Sequence, residues 1–243
     1  MKINNNSQTS PYFGCIPFKK VNGVKLFEEF HCKPKRTDAR DYFVRITNEE
    51  CFPGELCIKV DNDNCSTIGA CEVTIENKDT LFNENMEVFG RNKSHGAGTA
   101  IQLATILTML ENGLKKIKLY SLGQAVHFHS KFKFEPKITE LGELETAITR
   151  NILIHDGDGM VDNAIIEAKE WLNNNRLSKK AKIQEGNRIL YEYLQEISRS
   201  GLNKMDEFEV PMGFTMELTK KKILENKDFY NELFKKFNID YQI

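Results

Sequence analysis

The stretch that most constrains this chain runs from Met86 to Glu111 and reads MEVFGRNKSHGAGTAIQLATILTMLE. The β-type residues Met86, Val88 and Phe89 lead into a polar turn with Gly96 and Gly98, and then into a long helix-forming segment. The pattern predicts a strand, a Gly-rich loop and a helix. The first N–H groups of a helix lack internal partners and sit at the positive end of its dipole, so they attract anions. Glycines let the backbone approach a phosphate and take positive φ where the turn needs it. Lys93, Ser94, His95, Gly96, Ala97, Gly98 and Thr99 therefore form a candidate phosphate cradle. A dinucleotide fingerprint needs a third small residue where Ile101 stands, and the Gly-Lys-Ser/Thr of a P-loop occurs nowhere, so both of those phosphate loops are excluded.

Downstream, Asn112-Gly113 ends the helix, and Leu114 to Leu122 alternates Ile117 and Leu119 with Lys116, Lys118 and Tyr120, as a strand does. The segment Ala125-Val126-His127-Phe128-His129-Ser130-Lys131-Phe132-Lys133-Phe134 follows. Val88 to Gly98 resembles the acetyl-CoA signature of the GNAT superfamily of N-acetyltransferases, V-x-P-x-x-Q/R-x-x-G-x-G/A, with Gly90 replacing Pro and Lys93 replacing Gln or Arg. Ala125, Phe128, Lys131 and Phe134 fall in register on a second signature of that family, A-x-x-F-Y-x-K-x-G-F. The two occur in the family's order, and the resemblance covers about residues 40 to 138.

The resemblance implies an α/β (α+β) fold with a mixed, mostly antiparallel central sheet flanked by helices. It also implies acetyl-CoA as co-substrate and transfer of its acetyl group to a primary amine of a protein or small molecule by direct attack. Val88, Phe89, the cradle residues and Lys131 are then candidate CoA contacts. In the family a backbone N–H near the Val88 position polarises the thioester, with the logic of an oxyanion hole. Glu84 and Glu87 are the candidate bases for the amine proton. His129 stands where the family commonly uses Tyr to protonate the departing thiolate, and an imidazolium could do so, since an unperturbed His is part-charged at neutral pH. His127 is expected at the surface or against the ribose phosphate. Lys133 occupies the family's Gly position, where a side chain makes positive φ costly. A module that holds CoA, or has lost it, and works through a protein partner is the alternative; transfer of a longer acyl group, or to another acceptor, is a third.

The remaining chain is read from its own pattern. Residues 1 to 20 are expected to be a loose tail and 21 to 243 a single domain. Val21 to His31 is expected to hold a strand, followed by strands at Asp41–Thr47, Glu55–Val60 and Ser66–Ile75, with no strong helical period between Asp41 and Glu84. Leu144–Leu153, Val161–Trp171 and Lys180–Ser198 read as helices of an insertion spanning about 140–205, which offers a surface for a protein partner or a second copy. Asp156 to Gly159 reads as a turn capping a helix, because Met160 and Val161 break the calcium-loop pattern. Phe208–Leu218 resumes strand character, and Thr219 is expected to cap one last helix running to Phe237.

Composition narrows the class. At 243 residues and 40% hydrophobic the chain can bury a sizeable core, and a net charge of −1 argues against nucleic acid held by bulk electrostatics. The absence of a long apolar run or an N-terminal hydrophobic region predicts no membrane span, no lipid anchor at Cys15 and a cytoplasmic location. Six cysteines without a C-x-x-C pair predict reduced thiols and no metal, with Cys57 and Cys71 in the core.

Overall fold

The computed structural model describes residues 18–21, 24–27, 29–33, 41–48, 55–89, 96–156, 162–200 and 212–243. Alternation dictates the first half. In β4 (Tyr42–Asn48), Tyr42, Val44 and Ile46 turn inward, and in β6 (Thr67–Glu76), Gly69, Cys71 and Val73 do the same. Between them lies β5 (Glu55–Asn62), and β7 (Thr80–Val88) continues the antiparallel meander. Their shared apolar face packs against α1 (Ala97–Glu111), which is buried on all sides from Ala100 to Met109. A helix apolar around its whole girth has to be enclosed in this way. Asn112 and Gly113, the latter at φ 65°, end it as expected.

The main sheet has the order β3-β4-β5-β6-β7-β8-β10-β9, with β3 (Glu29–Cys32), β8 (Lys116–Ser121), β9 (Glu135–Pro136) and β10 (Phe214–Thr219). Every pairing in it is antiparallel except β7 with β8, which α1 joins as a crossover. The sheet is therefore mixed and mostly antiparallel, as expected. The absence of a helix between Asp41 and Glu84 holds for the described residues there.

Two local expectations are corrected. The segment read as one strand is three: β1 (Phe18–Val21) pairs with β2 (Val24–Phe27) as a separate hairpin, and only β3 joins the main sheet. β1 starts at Phe18, within the 1–20 read as a tail; residues 1–17 lie outside the described residues. The last helix is two, α6 (Lys220–Glu225) and α7 (Lys227–Lys236), because the chain turns at Asn226. Thr219 caps α6, its Oγ1 accepting from the Lys222 N–H at 3.1 Å.

The insertion between β9 and β10 contains α3 (Leu141–Asn151), α4 (Asp162–Asn173) and α5 (Lys179–Ser200). They meet at Gly186, where an added Cβ would come within 2.5 Å of Trp171 Cζ2 and 2.7 Å of Leu144 Cδ2. Only glycine lets the three approach so closely. Asp156 is described, but the rest of the DGDG turn lies outside the described residues. α5 also packs on α2 (Gly123–Lys131), the helix after β8. Gln195 Nε2 donates to the Ser130 carbonyl and Gln195 Oε1 accepts from Lys133 Nζ, both at 2.9 Å. No helix of the described residues is long and apolar enough to cross a membrane.

Candidate active site

The site follows from where β7 and β8 part. Their parallel ladder runs from Thr80–Lys116 to Asn83–Leu119 and then stops. Beyond it, Asn85 to Val88 stay paired with β6, while Tyr120 and Ser121 stay paired with β10. Each strand is thus held by its outer neighbour, and a wedge opens between them. The irregularity that starts it is a bulge: Val73 faces Asn83 and Glu72 faces Asn85, so Glu84 is the extra residue. A bulge bends its strand and increases the local twist. The β8-facing backbone groups of Asn85–Val88 have no ladder partner there, so they can bond an extended ligand laid in the wedge.

At the open end stands the first turn of α1. Gly96 is its N-cap at φ 107°, a left-handed conformation that glycine takes without a Cβ penalty. Among the described residues no side chain caps the helix, and no acidic residue lies in its first turn, so the amides of Ala97, Gly98 and Thr99 carry the positive end of the dipole. A Cβ on Gly98 would stand 3.4 Å from Phe128 Cζ and 3.6 Å from Val88 Cγ2. The end of β7, the start of α1 and the flank of α2 therefore converge at Gly98. Lys93, Ser94 and His95 lie outside the described residues.

Glu84 and Glu87 are exposed; Glu87, like Asn85, points to the sheet face away from α1. Glu84 stands in the chain at the apex of the wedge, and its carboxylate accepts from Thr74 Oγ1 of β6 at 2.9 Å. Val88 is half-buried on the α1 face, and Phe89 is exposed beyond it.

His129 is enclosed. It is 5% exposed, packed edge-on to Phe128 and Phe134 with ring centroids at 5.1 and 5.6 Å, and its Nδ1 is buried without a partner among the described residues. Burial pulls its pKa down to about 4, which disfavours the imidazolium expected from the sequence. His127 is half-buried, not at the surface. Burial first, then the charges of Lys131 and His155, bring it likewise to about 4. Lys131 stands in the last turn of α2, away from the end that adjoins β8, where a cation suits the helix carbonyls.

Three features escaped the sequence reading. Tyr120 and Leu122 are 54% and 60% exposed around the wedge mouth, beside the expected contact Phe89 at 40%. Leu122 is also the N-cap of α2, which no side chain caps, so a second bare helix start follows β8. Beneath the wedge lie Asn83 and Gln102, whose Nδ2 and both side-chain amide atoms, respectively, are buried without partners among the described residues. Gln102 is one turn below Gly98 on the same helix face. Cys57 and Cys71 are buried as expected, and burial holds the Cys71 thiol protonated. Among the described residues no group of His, Cys, Asp or Glu is arranged to hold a metal.

No protein-family model matches the chain. No curated protein matches it. Among solved structures, it is similar to a GNAT-family acetyltransferase from Staphylococcus aureus Mu50, at 17% identity over 37% of this chain and 58% of that one, TM-score 0.33. A GNAT-family acetyltransferase from Elizabethkingia anophelis with acetyl-CoA bound is 16% identical over 35% and 57%, TM-score 0.33. Nourseothricin acetyltransferase is 17% identical over 49% and 83%, TM-score 0.32. The chain spans less than three-fifths of the length of the first of these. Likeness of this extent concerns the arrangement of strands and helices and says nothing of activity or substrate.

Proposed function

We propose that the chain is an N-acetyltransferase that takes its acetyl group from acetyl-CoA and passes it to a primary amine. The observation that carries the reading is the wedge between β7 and β8, with the uncapped start of α1 at its mouth. The amides of Gly96–Thr99 suit a diphosphate, and the unpaired edge of Asn85–Val88 suits the amide-bearing arm that would run inward from it. The residues present fit the co-substrate, and no further group is needed for the chemistry.

In this reading the amine nitrogen attacks the thioester carbonyl carbon, a C–N bond forms, and the C–S bond breaks as the tetrahedral adduct collapses. A backbone N–H of β7 near Val88 stabilises the oxyanion. Glu84, at the apex and held by Thr74, accepts the amine proton directly or through water; Glu87, farther along the strand, is the second candidate. The thiolate takes its proton from solvent, since His129 is neutral and enclosed.

That same enclosure favours a second reading, a module that holds CoA without catalysis. Thermal unfolding with acetyl-CoA tests both: ligand at about 100 times its dissociation constant adds about 2.7 kcal/mol of stability. No shift at millimolar acetyl-CoA removes the enzyme. With a shift in hand, CoA thiol release against a panel of amines separates transfer from holding.

A further inference from the structure

A second site lies away from the wedge, where the insertion meets the C-terminal helices. Lys133 sits at φ 65°, a left-handed conformation that strains any residue with a Cβ. It is the residue just past the Phe132 C-cap of α2, where the Lys133 N–H bonds the Ser130 carbonyl and the Phe134 N–H bonds the His129 carbonyl, so the helix end fixes that backbone. The strained backbone aims the Lys133 side chain into a cavity of about 670 Å³ between α5 and α6, also lined by Tyr191, Gln195, Arg199, Lys222 and Asn226.

Three cations converge there. Lys133 Nζ donates to the neutral Gln195 amide and lies 5.3 Å from the centre of the Phe229 ring. Lys222 is paired with Glu135 at 2.6 Å and lies 4.8 Å from the Tyr191 ring centre. Among the described residues no carboxylate is within ion-pair distance of Lys133 or Arg199. Burial, and then the charges of Arg199 and Lys222, hold the Lys133 ammonium below its usual range. The lining also carries Glu192 and Glu196, of which Glu192 is engaged by Arg188. Arg199 by itself would be an ordinary helix-end cation. The half-buried Lys133 beside it places its Nζ on a neutral amide and an aromatic face.

We propose that this cavity is an anion site, in which Lys133 and Arg199, with Lys222 behind them, take a phosphate group or a comparable multiply charged oxyanion. The ammonium supplies a compact charge and the guanidinium a planar fork, the pairing that suits phosphate oxygens. An oxyanion between them offsets the repulsion that Arg199 and Lys222 exert on the Lys133 ammonium. The site stands whether or not the wedge binds CoA.

The test follows the backbone amides of the whole protein as inorganic pyrophosphate is added at constant ionic strength. The amides of Lys133, Gln195, Arg199 and Lys222 are expected to shift together and saturate. Lys133→Gly, which removes the strain and so folds, and Arg199→Gln, at an exposed position, are each expected to weaken binding about tenfold, as loss of a charge-assisted hydrogen bond does. Shifts that never saturate, shifts confined to Gly96–Thr99, or unchanged affinity in both variants would overturn the proposal.

Discussion

The paired and parted lengths of β7 and β8 belong to the same two strands and are built oppositely. Where they pair, Leu81, Ile117 and Leu119 are sealed beneath α1 and even Asn83 is 3% exposed. Where they part, Met86 and Val88 are only half-buried, and Glu84, Asn85, Glu87 and Tyr120 are exposed. The difference teaches where each kind of energy resides. Apolar burial below the bulge fixes the two strands, and that rigidity lets the backbone above it stay unpaired and ready for a ligand. Substitutions below should therefore cost stability and leave binding intact, whereas substitutions above should do the reverse.

The largest expected effect is below. Leu81→Ala leaves a cavity in a fully buried site and should destabilise the protein by about 2–5 kcal/mol in denaturant unfolding. Acetyl-CoA should still raise the unfolding temperature of this variant; if it does not, stability and binding are not separable in the way the two lengths suggest.

Acidification acts on the sealed interior next. His129 has a folded pKa of about 4 against about 6.5 when unfolded, so the unfolded chain binds the proton first as pH falls. Stability is then complete above about pH 6.5 and is lost progressively down to about pH 4, by roughly 3 kcal/mol. His127, with a similar folded pKa, adds a loss of stability over the same window, so His129→Asn should remove about half of the acid limb of the stability–pH curve, and an unchanged limb would assign the loss to other groups.

Above the bulge, Glu84→Gln should lower the transfer rate about 100-fold, the low end for loss of a general base, while unfolding moves by less than about 0.5 kcal/mol. If Glu87→Gln causes the larger drop, the roles of the two carboxylates are exchanged. The smallest effect belongs to Gly98→Ala. Its Cβ meets only ordinary contacts, and alanine favours the helix, so stability should hold or rise slightly. The methyl stands where a phosphate approaches, and the acetyl-CoA shift should correspond to affinity about tenfold weaker. Undiminished affinity would move the phosphate away from this turn.

The strand before Gly96, the left-handed glycine itself and the helix after it were legible because each obeys a short-range rule: alternation, glycine at a turn, and an apolar run capped by Asn-Gly. The bulge was not, since Asn83-Glu84-Asn85 is polar throughout and gives no apolar marker of which residue is extra. The β1–β2 hairpin did have a signal, the Asn22-Gly23 pair between β-forming residues. Burial of His129 was also available in principle. It lies three residues beyond Val126, on the helix face that Val126 buries, but the motif drew attention to its chemistry instead. The split at Asn226 did leave a trace: Glu225-Asn226-Lys227-Asp228 separates Leu224 from Phe229, so the apolar period skips the turn where the helix breaks. The cluster around Lys133 joins α2, α5 and α6, and no local pattern reports such a meeting.

The strand order carries one further consequence, for how the chain is made. β10 sits between β8 and β9, yet it leaves the ribosome only after the whole helical insertion. Until Phe214–Thr219 emerges, one flank of β8 has no strand to zip onto, and a bare strand flank invites self-association. Nascent chains stalled before residue 214 should accordingly be captured by chaperones more than chains stalled after 219, with α3, α4 and α5 already compact but waiting for the last strand to close the gap.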